Sequence, residues 1–427
     1  MTTAGEAPGG GRARAGDGHD RARVQRRAVS VLVAVQVVGG LGVGAALSVG
    51  GLIAEALTGS QSWAGMATTT ITLGAAVFAL PLAGLAARRG RRPGLGAGWV
   101  VAACGGAVAI GGAQAGWFPV FLAGMALYGA GTATNLQARH AAADLADDAT
   151  RGRDLSLVVW ATTAGAVVGP NLTGPGAAVA RPLGLDPLLG PLLFSTLAFA
   201  AAGALTLLLL RPDPLLVARE TGGGRAASAG KEPPLESLRL VVRTPMALLA
   251  LVGTVASHTV MVAVMTMTPV HMSHGGAALT VIGLTISLHI AGMYALSPVV
   301  GWLSDRVGRI PTLVAGQGIL LVAVVIAGAS DHREGVVMAG LVLLGLGWSF
   351  GLVSSSAMLA EALPPERRPG AQGVTDLAMN LGGAGAGALS GVLLSAFGFG
   401  GLNAFAAVFV VPVFALVLWA RRSQRAS

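Results

Sequence analysis

Twelve apolar runs, each long enough to cross a bilayer, constrain this chain more than any other feature. They fall at roughly 28–52, 63–87, 94–114, 117–138, 155–180 and 187–210. After a polar stretch at 211–243 they resume at 244–272, 277–300, 312–329, 335–360, 371–397 and 401–420. About 20 consecutive apolar residues span the hydrocarbon core as a helix, and lipid leaves backbone donors and acceptors no partner outside a helix or a closed barrel. The expected fold class is therefore an all-α membrane protein with twelve transmembrane helices. Composition agrees, because only 11% of the residues are charged, against about 25% in a soluble domain. Disorder fails on the same figure together with a hydrophobic share of 53%. A disulfide scaffold fails on a single cysteine, Cys104.

The cations fix an expected orientation. With both ends inside, 26 of the 28 lysines and arginines fall on the inner side, and only Arg181 and Arg333 lie outside. This positive-inside bias predicts a multi-pass protein of the bacterial cytoplasmic (inner) membrane with both termini cytoplasmic. The net charge of +9 does not point to nucleic acid, since the cations lie between apolar runs rather than on a folded basic surface. The expected partners are the lipid bilayer and a small solute or metal ion, with the chain a monomer. Residues 1–27 read as a disordered cytoplasmic tail, because the apolar run that follows is span-length and ends in no small-residue cleavage site. Residues 28–210 form a first six-helix bundle and 211–243 a cytoplasmic linker, Gly/Pro/Ser-rich around 222–234. Residues 244–420 form a second bundle, and 421–427 a cytoplasmic tail.

The two bundles repeat one another. The run GWLSDRVGRIP, from Gly301 to Pro311, follows span 8, and AGLAARRGRRP, from Ala83 to Pro93, follows span 2 at an offset of 218 residues. Leu85, Arg88, Gly90, Arg91 and Pro93 match Leu303, Arg306, Gly308, Arg309 and Pro311. Loops bearing an acid and an arginine correspond at nearly the same offset, Asp144 to Arg151 and Glu361 to Arg368. Parallel repeats of this kind describe an alternating-access transporter whose site lies between the halves. The duplicated Gly-x-Leu-x-Asp-Arg-x-Gly-Arg loop resembles the signature of the major facilitator superfamily, over about residues 28–420. The resemblance implies that fold, and a gating role for Arg88, Gly90, Arg91, Asp305, Arg306, Gly308 and Arg309. In the first copy Ala83 and Ala87 replace the glycine and the aspartate, which weakens any latch built on that carboxylate. Arg88 and Arg91 are expected to pair instead with an acid of the opposite half, such as Asp376. The plainer reading is that these arginines only hold topology.

Soft side chains concentrate in one hairpin. Four of the seven histidines and five of the twelve methionines lie between His258 and Met293. Span 7 carries His258, Met261 and Met265 on one face, and span 8 carries His289 and Met293 one turn apart. If the hairpin reverses near residue 275, His258 lies level with Met293 and Met261 with His289. Methionine is often mere packing, whereas intramembrane histidine is costly and usually functional; thioether and imidazole together suit Cu(I). Met261-x-x-x-Met265 with His289-x-x-x-Met293 also resembles the motif of the superfamily's copper-importing members. That resemblance implies Met261, Met265, His289 and Met293 as metal ligands; the face argument adds His258. Met267, His271, Met272 and His274, at the outer end of span 7, are a candidate path for metal capture, though Pro269 sits among them.

The substrate expected on this reading is copper, imported, with no cofactor. A cation entering a negative interior gains about 2.3 kcal/mol per 100 mV, so no proton site is required. Only Glu55 and Asp376 among nineteen acids lie within or at the edge of spans. One alternative is a proton-coupled drug or small-molecule efflux antiporter, since Gly165 to Gly174 partly matches an antiporter motif, with Thr173 replacing one glycine. Another is a riboflavin importer, and a third is a copper receptor that does not transport. An enzyme is not expected: no carboxylate pair or nucleophile–base set stands out, and the glycine clusters lie inside spans rather than after strands.

Overall fold

The computed structural model describes residues 10–146, 151–220, 234–364 and 367–426. The first nine residues of the predicted tail, most of the Gly/Pro/Ser-rich linker and Ser427 lie outside the described residues. The first half holds α1 (Gly10–Leu47), α2 (Gly50–Thr58), α3 (Met66–Arg89), α4 (Arg91–Gln114), α5 (Phe118–Ala143), α6 (Arg151–Val168), α7 (Thr173–Ala180) and α8 (Gly190–Leu209). The connection holds α9 (Pro214–Glu220) and α10 (Pro234–Arg243). The second half holds α11 (Pro245–His274), α12 (Leu279–Tyr294), α13 (Ser297–Val307), α14 (Arg309–Gly328), α15 (Glu334–Ala362), α16 (Arg368–Val408) and α17 (Val411–Ala426). No strand occurs among the described residues.

Nine described stretches are long and apolar enough to cross a membrane, and one of them, Gly370–Leu418, covers two passes. Gly398, at φ +68°, bends it. With α5 and the α6–α7 pair, which breaks at Gly169-Pro170, this gives twelve spans. Large apolar side chains such as Leu80, Val325 and Phe397 are exposed on the outside of the bundle, as a chain solvated by lipid requires. The interior of the first half is aromatic: Trp99, Phe121, Tyr128 and Phe199 are all buried. Pro269 does not interrupt α11, which runs on to His274, so the helical register of that segment survives.

The repeat is visible in backbone geometry. Gly90 sits between α3 and α4 at φ +103°, ψ 167°, and Gly308 between α13 and α14 at φ +103°, ψ 159°. Only glycine adopts that conformation without strain, which explains the duplicated glycine. The arginine after each glycine is held alike: Arg91 pairs with Asp144 at 2.7 Å and Arg309 with Glu361 at 2.6 Å. Both pairs lie within one half, so the expected pairing of Arg91 with Asp376 is corrected. The neighbouring acid of the same bundle sits at the matching repeat position and is closer along the fold. Burial pushes the Asp144 carboxyl above its ordinary value, with Arg91 pulling against it. Arg309 also pairs with Asp305, and Arg306 lies over the Trp302 ring. Arg88 is exposed.

Contact between the halves is one-sided. Every described hydrogen bond that crosses between them lies at the end away from the arginine loops. Thr69 Oγ1 donates to Ala384 O (3.0 Å), Thr173 Oγ1 to Leu279 O (2.8 Å) and Asn171 Nδ2 to Ser287 Oγ (2.9 Å). Ser287 Oγ in turn donates to Val167 O, and His274 bridges Glu55 and Gln61. Close approach there depends on glycine: a Cβ on Gly65 would stand 1.7 Å from Gly387 O. At the Arg-rich end no described hydrogen bond or ion pair joins the halves.

Candidate functional site

A cavity of about 360 Å³ lies between the halves, and its two walls differ in chemistry. The first half presents amides and hydroxyls, among them Gln36 from α1, Thr68 and Thr72 from α3, and Thr162 from α6. On α5 a stripe of Tyr128, Thr132, Asn135 and Arg139 follows helical spacing down one face. These groups are pinned by one another. Gln36 Nε2 donates to Asn135 Oδ1 (2.5 Å) and Thr162 Oγ1 (2.8 Å), and Thr162 Oγ1 also donates to Asn135 Oδ1 (3.2 Å). Tyr128 Oη donates to Gly42 O at 2.5 Å. With its carbonyl oxygen doubly engaged, Asn135 keeps its NH2 for a guest.

The second half presents sulfur and aromatic rings. His258, Met261 and Met265 from α11, and Met293 and Tyr294 from α12, line the cavity. Trp348 of α15 backs this wall: its Nε1–H donates to His258 Nδ1 at 3.2 Å, and its ring meets Tyr294 edge-on at 5.5 Å. Because indole only donates, His258 Nδ1 is the acceptor and its proton sits on Nε2. In that tautomer His258 offers a guest a donor, not a lone pair.

Four of the five residues read as metal ligands, Met261, Met265, Met293 and His258, are thus brought to one space. His289 is not. It is fully buried, its Nδ1–H donates to Leu341 O of α15 at 2.8 Å, and it does not line the cavity. Its Nε2 has no hydrogen-bond partner among the described residues. Among those residues no group of three or more His, Cys, Asp or Glu could hold a metal.

The outer cluster of α11 does not converge either. Met267 and Met272 point into the core, and His271 stacks on Phe399 at 4.0 Å and on His332 at 4.4 Å. Only His274 is open, and Glu55 (2.7 Å) and Gln61 (2.8 Å) engage it. Met267, His271 and His274 share one face of the unbroken helix and Met272 lies off it, but the packed neighbours along that face differ, so the four groups meet at no common point. Asp376 is exposed on α16, in the field of Arg139 across the cavity mouth. The polar stripe on α5 is what a search for soft and acidic side chains passes over; its signal was the run of polar residues at helical spacing in an apolar span.

A sequence profile described as Major Facilitator Superfamily matches residues 32–279 and 250–427. An uncharacterized MFS-type transporter of Bacillus subtilis, YddS, is 36% identical over 405 residues, covering 93% of this chain and 91% of that one. The riboflavin transporter RfnT of Brucella anthropi is 29% identical over 403 residues, covering 93% and 95%. The fold also matches the crystal structure of a bacterial homolog of the human lysosomal transporter Spinster, in an inward-facing and unoccupied conformation. That match has TM-score 0.70 and 15% identity and covers 93% of this chain and 97% of that one.

Proposed function

This chain belongs to the major facilitator superfamily, and from that premise we propose that it carries a polar organic solute of flavin-like size by alternating access. One observation carries the reading: a cavity of about 360 Å³ with an amide–hydroxyl wall facing a thioether–aromatic wall. Organic ligands occupy pockets of roughly 300–1,000 Å³, mostly apolar with a few placed polar groups. Tyr294, held edge-on by Trp348 behind it, offers its ring to a heteroaromatic guest, while Asn135, Gln36 and Thr162 suit carbonyl and ring N–H groups. The riboflavin transporter among the relatives supports a solute of this class, and makes riboflavin the first compound to try.

The charge distribution supports both termini lying in the cytoplasm of a bacterial cell. On that orientation the Arg-rich end, where no described hydrogen bond joins the halves, faces inward, an arrangement that suits release of an imported solute.

Copper import is the second reading, favoured by three thioethers on one cavity wall, Met261, Met265 and Met293. Against it stand the donor tautomer of His258 and the position of His289 behind the wall. Uptake decides between them. Cells expressing the chain in a riboflavin-requiring host are expected to accumulate riboflavin with unchanged cellular copper measured by mass spectrometry. Copper accumulation without flavin uptake would overturn the organic-solute reading.

A further inference from the structure

Arg139 is the one formally charged side chain among the described residues that line the cavity. It lies four residues beyond Asn135 and seven beyond Thr132 on the polar face of α5. Its Nε is buried and has no hydrogen-bond partner among the described residues, and no described ion pair engages the guanidinium. Other arginines at the same end of the molecule are occupied. Arg91 holds Asp144, Arg309 holds Glu361, Arg92 donates to Leu207 O and Arg219 to Ala87 O. Across the cavity mouth, Asp376 of the other half lies in the field of Arg139 without a salt bridge to it among the described residues.

A guanidinium is charged at every physiological pH and presents five donors in a planar fork. Leaving such donors partly dehydrated and unpaired is unfavourable, so an oxyanion that docks there is bound by both charge and geometry. The fork matches a carboxylate or phosphate in two parallel hydrogen bonds, and the same field disfavours a cation. We infer that the preferred solute carries an oxyanion, a carboxylate or a phosphate, and that Arg139 is the residue that reads it. Asp376 is the competing acceptor contributed by the opposite half. The inference rests on the organic-solute reading but not on the identity of its ring.

Calorimetry on the purified full chain tests it with two pairs of ligands sharing a ring: riboflavin 5′-phosphate against riboflavin, and nicotinate against nicotinamide. In at least one pair the acid is expected to bind about tenfold or more tighter than its neutral partner, the range for a hydrogen bond to a charged group. Arg139→Gln should bring that ratio to about one, with the unliganded melting temperature as the control for folding. Asp376→Asn should move the other way, tightening the acid, because it removes the competing carboxylate. Equal binding of acid and neutral partner leaves the organic-solute reading standing and overturns this one, as does a ratio that survives Arg139→Gln. If Asp376→Asn weakens the acid as much as Arg139→Gln does, the two residues act only as scaffold and the inference also falls. If none of the four compounds binds while Cu(I) does, both readings fail together.

Discussion

At the residue scale, the duplicated glycines separate two costs that usually travel together. Gly90 and Gly308 share φ +103°, but a Cβ on Gly90 would stand 2.5 Å from Asp213 Oδ2, whereas at Gly308 the nearest atom is Pro311 Cδ at 3.6 Å. Gly308→Ala therefore incurs only the backbone strain of a non-glycine residue in that region, about 1–3 kcal/mol. Gly90→Ala adds a clash with a carboxylate that already accepts from Arg92 N and caps α9 through Leu215 N. Thermal unfolding of the two purified variants is expected to show a clearly larger loss for Gly90→Ala; equal losses would mean that Asp213 gives way freely. Both glycines were legible in the sequence as a repeat. What each touches was not, because Asp213 reaches Gly90 from beyond α8, and no local spacing encodes that approach.

At the element scale, the hairpin of α11 and α12 shows how far periodicity carries an argument. Met261 and Met265 are four residues apart and both reach the cavity. Met293 reaches it too, but His289, also four residues away, packs against α15. Four residues advance a helix by about 40° beyond one full turn, so a shared stripe can straddle the border between a lumen and a packed neighbour. Sequence places such residues on one stripe, and only the packing of α15 decides which side of the border each takes. His289 consequently discriminates between readings. As a packing residue with one hydrogen bond to Leu341 O, it contributes about 0.5–1.5 kcal/mol through that bond. His289→Leu, which keeps apolar volume and removes the unpaired Nε2, is expected to shift the melting temperature by a few degrees at most and to leave organic-solute uptake in place. Loss of all transport in a variant that still folds would return His289 to the site and copper to the cargo.

On the scale of the whole molecule, the spans, the repeat and the charge asymmetry could be read from sequence because each is a one-dimensional pattern. The state of the transporter could not, since it depends on which ends of two similar bundles touch. Orientation is checked in a Cys104→Ser background with single cysteines: Pro182 and Arg333 should be labelled from outside the cell, and Arg225 and Arg368 only from within. The closed end yields the sharper test. Thr173→Val together with Ser287→Ala removes three described crossing bonds: Thr173 to Leu279 O, Asn171 to Ser287, and Ser287 to Val167 O. At about 0.5–1.5 kcal/mol each, their loss amounts to roughly 1.5–4.5 kcal/mol, or about ten- to a thousandfold in the balance between states. The glycine contacts such as Gly65 against Gly387 remain, so the halves keep the surface on which they close. Spin labels on exposed Leu183 and Glu334 at this end, and on Arg88 and Arg306 at the other, report the shift. The double variant is expected to gain a population with a longer Leu183–Glu334 distance and, in step, a shorter Arg88–Arg306 distance, because alternating access links the two ends as one motion. Opening at one end without closing at the other would show that these bonds hold a local contact, and that rigid rocking of the two bundles is not what they govern.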